Sequence, residues 1–268
     1  MKSFLAIALL ALHSQAWAVD QVPRSAAVGG ADIVMLTGHA SATGSGGQAR
    51  GLNRGDRLYS GDVINTGAGT YLNMRFPDGA FVLLRPNSRF QIESYAYSAA
   101  DASLKSDSAR PGPAAPVQPA LKQESQESAL PAAASPAVKP HAFFRLLRGG
   151  FRAVSGFLGH GDPGSYRIST PVATIGIRGT EFVVIHVNSR EAGDPAFGDA
   201  APDGAASGGT VVGVIKGGIF ISNDAGNEMS VSEGHFALTL PDGSQVFLPF
   251  EPSFLKLEPI PSPLNSCQ

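Results

Sequence analysis

The sequence predicts an all-β fold, a solenoid-like or sandwich stack of short strands interrupted by a disordered insertion rich in Ala, Pro and Ser. Three observations support this prediction. Apolar residues alternate with polar ones at a period of two, turn-forming Pro-Asp-Gly triplets separate apolar runs, and glycine interrupts the pattern about every 8–12 residues.

The period-two pattern is clearest in the first arm of the chain. Leu72, Met74 and Phe76 are separated by single polar residues, and Phe90 and Ile92 follow the same alternation. Successive side chains of a strand point to opposite faces, so each segment has one apolar face and one polar face. Half-buried strands are therefore expected in both segments.

Turn chemistry separates the predicted strands. Residues 77–79 and 241–243 both read Pro-Asp-Gly between apolar runs, where Pro fixes φ and Gly accepts a positive φ, so each predicts a hairpin. Only Phe143–Arg148 is expected to form a turn of helix. Further short strands are predicted near Ile168 and over 174–177, 182–187, 210–216, 219–222 and 235–240.

The composition changes along the chain divide it into segments. The stretch after residue 97 has almost no aliphatic or aromatic side chains, so it cannot bury enough apolar surface to offset the entropy of ordering it. Residues 189–209, rich in Gly, Ala and Asp, are expected to form a second mobile loop. The predicted segments are a signal peptide (1–18), a first β half (19–97), a disordered linker (98–142), a second β half (143–250) and an extended Pro-rich tail (251–268).

The first 18 residues have the features of a secretory signal peptide. Lys2 precedes an apolar run over 4–12, and Ala16-Trp17-Ala18 fits a signal-peptidase site. The run is about half of the roughly 20 residues that a membrane-spanning helix needs, so cleavage after Ala18 is expected rather than anchoring.

Composition restricts the function classes. Without residues 1–18 the chain has 19 Lys and Arg against 22 Asp and Glu, a balance that argues against a nucleic-acid partner. Cys267 is the only cysteine, so no intrachain disulfide can form and a buried core must supply the stability. No cofactor is expected.

The order of the motifs resembles that of a FecR domain. The most specific is the Thr-Pro-x-Ala-x-x-Gly-Ile-Arg-Gly-Thr core at residues 170–180. The remaining motifs, in chain order, lie at residues 61–67, 76–79, 84–88, 145–152, 214–219 and 232–235.

This resemblance implies a bacterial envelope domain, periplasmic or secreted, that acts as a free-standing interaction or signalling module and not as an enzyme. The alternative is a membrane-anchored FecR-type regulator that relays outer-membrane receptor signals to a sigma factor. The cleavable N-terminal segment disfavours this alternative.

The core motif has two interpretations. Its small residues and glycines fit a tight corner between stacked strands, which is the preferred reading, and a ligand site is the alternative. The guanidinium of Arg178 is expected to tie loop carbonyls together or to pair with Glu181. The motif residues are Thr170, Pro171, Ala173, Gly176, Arg178, Gly179 and Thr180.

An excess of arginine marks a candidate partner-binding surface. The span 145–178 has one acidic residue, Asp162, and could contact an unidentified envelope protein or an anionic envelope polymer. A solvated face with scattered charges is the alternative. The five arginines are Arg145, Arg148, Arg152, Arg167 and Arg178.

Catalytic and metal-binding residues are not predicted. The Gly-rich stretch 44–49 is not followed by a helix, so it is interpreted as a loop and not as a dinucleotide site. The histidines are dispersed, and His186 is expected to be packed within a strand or at its edge. An enzyme acting on envelope polysaccharide remains the third possibility, and it would require paired carboxylates in a cleft.

The export signal gives a direct prediction. Trp17 is the only tryptophan, so a chain cleaved after Ala18 should show no tryptophan fluorescence, and its intact mass should lack residues 1–18. Retained emission and full mass in the exported fraction would contradict cleavage and favour the anchored form.

Overall fold

The computed structural model describes residues 29–97, 139–188, 208–223, 225–249, 251–252 and 255. Outside this part lie the predicted signal peptide, Cys267, and most of the predicted linker, second loop and tail. The described residues confirm the all-β prediction. Their strands are β1 (Ala31–Thr37), β2 (Ala40–Thr43), β3 (Ala49–Gly51), β4 (Arg57–Leu58), β5 (Val63–Thr66), β6 (Tyr71–Arg75), β7 (Phe81–Leu84), β8 (Arg89–Ala96), β9 (His141–Val154), β10 (Tyr166–Ser169), β11 (Thr174–Asn188), β12 (Gly208–Ser222), β13 (Glu228–Ser232), β14 (Phe236–Thr239) and β15 (Gln245–Leu248). Two short 3-10 turns, Phe157–His160 and Pro163–Ser165, lie between β9 and β10.

All fifteen strands are hydrogen-bonded into one sheet, which folds over on itself into two layers. Layer A consists, in order, of β15, β14, residues 208–216 of β12, residues 181–188 of β11, residues 149–154 of β9, β7, β6, β1 and β4. Layer B consists of β13, residues 218–222 of β12, residues 174–178 of β11, β10, residues 141–148 of β9, β8, β5, β2 and β3.

Three long strands connect the layers, and each bends at a glycine. Gly149 in β9, Gly179 in β11 and Gly217 in β12 have φ values of 77°, 58° and 89°, in the left-handed region that favours glycine. We call these three residues the glycine corners. Within β11 and β12 the sequence predicts separate short strands, because an interior glycine normally weakens or ends a strand. Instead the chain turns the corner and continues its hydrogen bonding in the other layer, as strands of 14 or 15 residues.

The prediction of a helical turn at Phe143–Arg148 is wrong. This segment is the first half of β9, in which Ala142, Phe144 and Leu146 are buried at alternate positions. It pairs with β8 on one side and with β10 on the other. β8 is distant in sequence and β10 is a parallel neighbour, so both pairings are tertiary. They override the weak local preference for a helical turn.

The hydrophobic core fills the space between the layers. The ring of Phe144 in layer B lies 5.2 Å from that of Phe76, which follows β6 in layer A. The rings of Phe90 in layer B and Phe151 in layer A are 5.4 Å apart, nearly edge to face. Aromatic pairs at these distances add to the stabilisation from burial.

The turns follow their sequence signatures. Residues 77–79 connect β6 to β7 and residues 241–243 connect β14 to β15, so both predicted hairpins are confirmed. Buried Asp78 also links the layers, because its Oδ1 accepts the Tyr95 hydroxyl at 2.9 Å. The stretch 44–49 connects β2 to β3 as the predicted loop.

The glycine corners give a matched pair of variants. A Cβ on Gly217 would lie 2.3 Å from the carbonyl oxygen of Gly179, whereas a Cβ on Gly218 would meet nothing closer than 3.7 Å and needs no positive φ. Gly217→Ala should lower the free energy of unfolding by at least about 2 kcal/mol in urea denaturation. Gly218→Ala should change it by less than about 1 kcal/mol. Equal losses would contradict the role of the corner.

Alkaline pH should destabilise the fold through two buried tyrosines. Burial, and secondarily the charge of Asp78, raises the pKa of the Tyr95 and Tyr166 phenols above the ordinary value. The unfolded chain therefore releases protons that the folded chain retains, so stability is full below about pH 10 and falls as pH rises further.

Tyr166→Phe tests this dependence. The Tyr166 hydroxyl has no hydrogen-bond partner within the described residues, so its removal leaves no group unsatisfied. The variant should be at least as stable as the parent at neutral pH and should lose stability less steeply above pH 10, measured by denaturant unfolding. Tyr59→Phe, at a side chain that is 51% exposed, is the control. An unchanged alkaline slope in Tyr166→Phe would contradict the assignment.

Candidate functional site

The core motif, residues 170–180, covers the turn before β11 and the β11 corner at Gly179. The Thr180 hydroxyl donates to the carbonyl of Gly218 at 2.7 Å, and its N–H donates to Ser155 Oγ at 2.8 Å. At the start of the motif, Thr170 Oγ1 accepts the N–H of Ala173 at 3.0 Å. These bonds fix the turn before β11 and the bend within it.

Arg178 does not form the structural tie that the sequence suggests. It is exposed and makes no hydrogen bond or ion pair with any residue that the structure describes. Glu181 instead pairs with Arg152. The left-handed bend at Gly179 is the reason, because it leaves Arg178 on the outer face of layer B and moves Glu181 to that of layer A.

The five candidate arginines are divided between the two layers. Arg145, Arg167 and Arg178 lie on the outer face of layer B, Arg152 lies on that of layer A, and Arg148 lies next to the β9 corner. The partner-binding role of the five arginines stays a prediction. Three of them, Arg145, Arg167 and Arg178, share one face.

Two of the layer B arginines have contacts on that face. Arg145 Nε is 2.5 Å from Glu93 Oε1 in an ion pair. The Arg167 guanidinium lies 4.5 Å from the centre of the Phe143 ring, in a cation–π contact that leaves its charge unneutralised. Near the corner, Arg148 Nε donates to the carbonyl of Asn87 at 3.1 Å.

From β7 to β15 the outer face of layer A is largely apolar, with Arg152, Glu181 and Lys216 also on it, and the sequence did not predict this face. Of the six large hydrophobic side chains that are exposed within the described residues, four lie here: Phe81 (38%), Val154 (42%), Ile215 (40%) and Val246 (44%). Phe81 and Val154 are direct cross-strand partners. We call this the apolar face.

A pocket of about 370 Å³ opens on the apolar face. Its floor is at Gly213, where a Cβ would come within 2.7 Å of the Phe236 ring. Leu255, from the segment after β15, is 2% exposed and packs beside it. The lining residues are Arg152, Val183, Gly213, Ile215, Phe236, Glu251 and Leu255.

A sequence signal for this face does exist. Residues 182–185 are all apolar, with no polar residue alternating between them. In the structure Phe182 and Val184 are buried in the main core, and Val183 and Ile185 are buried in a second cluster on the outer side. An uninterrupted apolar strand indicates burial on both faces. The sequence does not indicate what covers the second face.

Two histidines contact hydroxyl groups within the described residues. His141 Nε2 lies 2.7 Å from Ser94 Oγ in a partly buried pair, and His186 belongs to a buried cluster. His186 is packed inside a strand as predicted, with Nδ1 at 3.0 Å from Thr210 Oγ1 and Nε2 at 3.2 Å from Asn188 Oδ1. Thr210 is fully buried, and its hydroxyl donates to Thr170 Oγ1. This chain of bonds satisfies polar groups inside the fold.

The part of the chain that the structure describes contains no group of three His, Cys, Asp or Glu side chains arranged to hold a metal ion. Among the same residues, no helix has the length and hydropathy needed to cross a membrane.

Comparison with known proteins gives few matches. No family model matches the chain, and no curated protein does. Similar solved structures include two crystal structures, each of a candidate anti-sigma factor from Parabacteroides distasonis, with identities of 12% and 11% and TM-scores of 0.39 and 0.40. Each alignment covers 71% of this chain and only 60% of the other.

A third similar structure is described as a cell surface anchoring domain. It is 28% identical, with a TM-score of 0.22, over 23% of this chain and 80% of that domain. All three TM-scores are below 0.5, too low to establish a shared fold.

Proposed function

We propose that this chain is an exported, non-catalytic, FecR-like module of the bacterial envelope, and that it binds a protein partner through the apolar face. The observation that carries this proposal is the concentration of exposed hydrophobic side chains there. Contiguous apolar patches on a protein surface mark interaction sites, whereas isolated exposed hydrophobic residues do not.

The pocket supports a specific mode of contact. Its lining combines the apolar side chains of Val183, Ile215, Phe236 and Leu255 with the charged side chains of Arg152 and Glu251. The apolar part fits an apolar side chain of the partner, and such anchors in pockets dominate the energetics of protein interfaces. Arg152 and Glu181, paired on the same face, form a polar boundary that constrains how the partner lies. The occupant is therefore an envelope protein that presents an apolar anchor with polar groups beside it.

The sequence supports the remaining parts of the proposal. The N-terminal segment fits a cleavable export signal, and the motif order resembles that of FecR domains. The hydroxyl–histidine pair of Thr210 and His186 is closed to solvent and to substrate, whereas the pair of Ser94 and His141 is partly exposed in layer B. An interaction role through the apolar face requires neither pair to react.

Replacing Ile215 with Asp tests the apolar face. Ile215 is 40% exposed, so the charge should be tolerated by the fold, but it would be buried against the partner. Partner affinity should fall at least about tenfold, measured by titrating the partner recovered from the envelope by crosslinking. Tyr59→Asp, at an exposed side chain directly after β4 and three strands beyond β7, is the matched control and should bind normally.

Two outcomes would contradict the proposal. One is equal binding by the Ile215→Asp and Tyr59→Asp variants. The other is self-association of the purified chain through Ile215, seen as a dimer in sedimentation that the Ile215→Asp variant abolishes, because the face would then be covered by a second copy.

A further inference from the structure

We infer that the outer face of layer B has a binding notch for an acidic polysaccharide, at the strands that carry the family-core motif. The notch lies on the layer opposite the apolar face, so it is a second site and does not depend on the protein-binding proposal. We define the notch by Arg167, Gly176, Arg178, Gly218 and Phe220.

A row of cross-strand neighbours forms the notch. Arg167 pairs with Gly176, which in turn pairs with Phe220. The inward neighbours on each strand are buried, so these three residues all face outward. Arg167 and Phe220 are two strands apart, about 10 Å between backbones, with Gly176 on the strand between them.

The second row of the notch continues the glycine floor. Arg178 follows Gly176 by two residues on β11, so it shares the same face at a distance of about 7 Å. Its cross-strand partner is Gly218. A Cβ at Gly218 would meet no atom closer than 3.7 Å, so the space above this part of the floor is open.

Two guanidiniums give the notch its charge. Arg178 has no ion-pair partner within the described residues, and Arg167 has only the cation–π contact with Phe143. Glu233 lies at the neighbouring corner, where its Oε2 accepts the N–H of Gly217 at 3.2 Å. A planar guanidinium binds a carboxylate through two parallel hydrogen bonds.

The neighbouring side chains indicate a sugar ring. Phe220 forms one wall with its half-exposed ring, and an aromatic face packs against the C–H face of a pyranose ring. Ser222 and Thr174 lie in the next row, and Ser230 and Ser232 lie on the adjoining strand. Their hydroxyls can both donate to and accept from sugar hydroxyls. A carboxylate on a ring with several hydroxyls, as in a uronic-acid polymer, matches all three features.

An acidic peptide matches fewer of these features. Its carboxylates would satisfy the two arginines, but they would not require an aromatic wall or an open floor of glycine. The requirement for Phe220 and for the open floor therefore distinguishes the two ligand classes.

The test is a calorimetric titration of oligogalacturonate into the full mature chain at low salt. We expect binding that Arg178→Ala and Arg167→Ala each weaken about tenfold or more. Arg75→Ala removes the same charge from an exposed position on layer A and should leave binding within about twofold.

Two variants that keep every charge test the shape of the notch. Gly218→Val fills the floor at a position that tolerates a side chain, and Phe220→Leu removes the aromatic wall. Each should weaken oligogalacturonate binding about fivefold or more without lowering the unfolding midpoint by more than a few degrees. Neutral galacto-oligosaccharides should bind at least about tenfold more weakly than the acidic ones.

Several results would overturn the inference. Absence of oligogalacturonate binding would do so, as would binding that the notch variants leave unchanged. Equal or tighter binding of a poly-glutamate peptide, insensitive to Phe220→Leu, would assign the face to an acidic protein. Binding to anionic phospholipid vesicles in preference to the oligosaccharide would assign it to a membrane surface. None of these results depends on Ile215 or on the apolar face.

Discussion

The architecture depends on backbone conformations that only glycine adopts readily. At Gly149, Gly179 and Gly217 the chain enters the left-handed region, and a strand leaves one layer and continues in the other. An L-residue with a Cβ would raise the conformational energy at each position, and at Gly217 it would also collide with the carbonyl of Gly179. Each of the three strands that bend here supplies core side chains in both layers, so the corners hold the two layers against each other. Serine supports the β9 corner from outside, since Ser88 Oγ both donates to the carbonyl of Gly150 and accepts its N–H at 2.9 Å.

The same bends determine which side chains reach each outer face. Arg178 and Glu181 are three residues apart in sequence, yet they lie on opposite outer faces because Gly179 separates them. The layer B segments of β11 and β12 therefore carry different outward side chains from the layer A segments of the same strands. On layer B the outward positions include arginine, glycine, serine and the rings of Phe143 and Phe220. On layer A, from β7 to β15, they are largely apolar, with Arg152, Glu181 and Lys216 among them. The described residues thus present a largely apolar face and an arginine-bearing face on opposite sides of one sheet.

Local features of the fold could be predicted from the sequence, whereas non-local ones could not. The alternation around Leu72 and Met74 and the Pro-Asp-Gly turns are encoded within a few residues, and each is present as predicted. The strand character of Phe143–Arg148 depends on pairing with β8 and β10, which no local pattern shows. For the candidate site, the sequence identified the arginines but not their partners. Whether Arg145 meets Glu93, or Arg152 meets Glu181, follows from strand register, and register is set by the tertiary fold.

We propose that the two outer faces recognise different classes of envelope molecule. Site-specific photo-crosslinking in living cells tests it most directly, with the photoreactive residue placed at Ile215 on layer A or at Phe220 on layer B. The account predicts discrete protein adducts from Ile215, and from Phe220 adducts that are sensitive to polysaccharide-degrading enzymes and resistant to protease treatment of the partner. The same protein adducts from both positions, or none from Ile215, would contradict it.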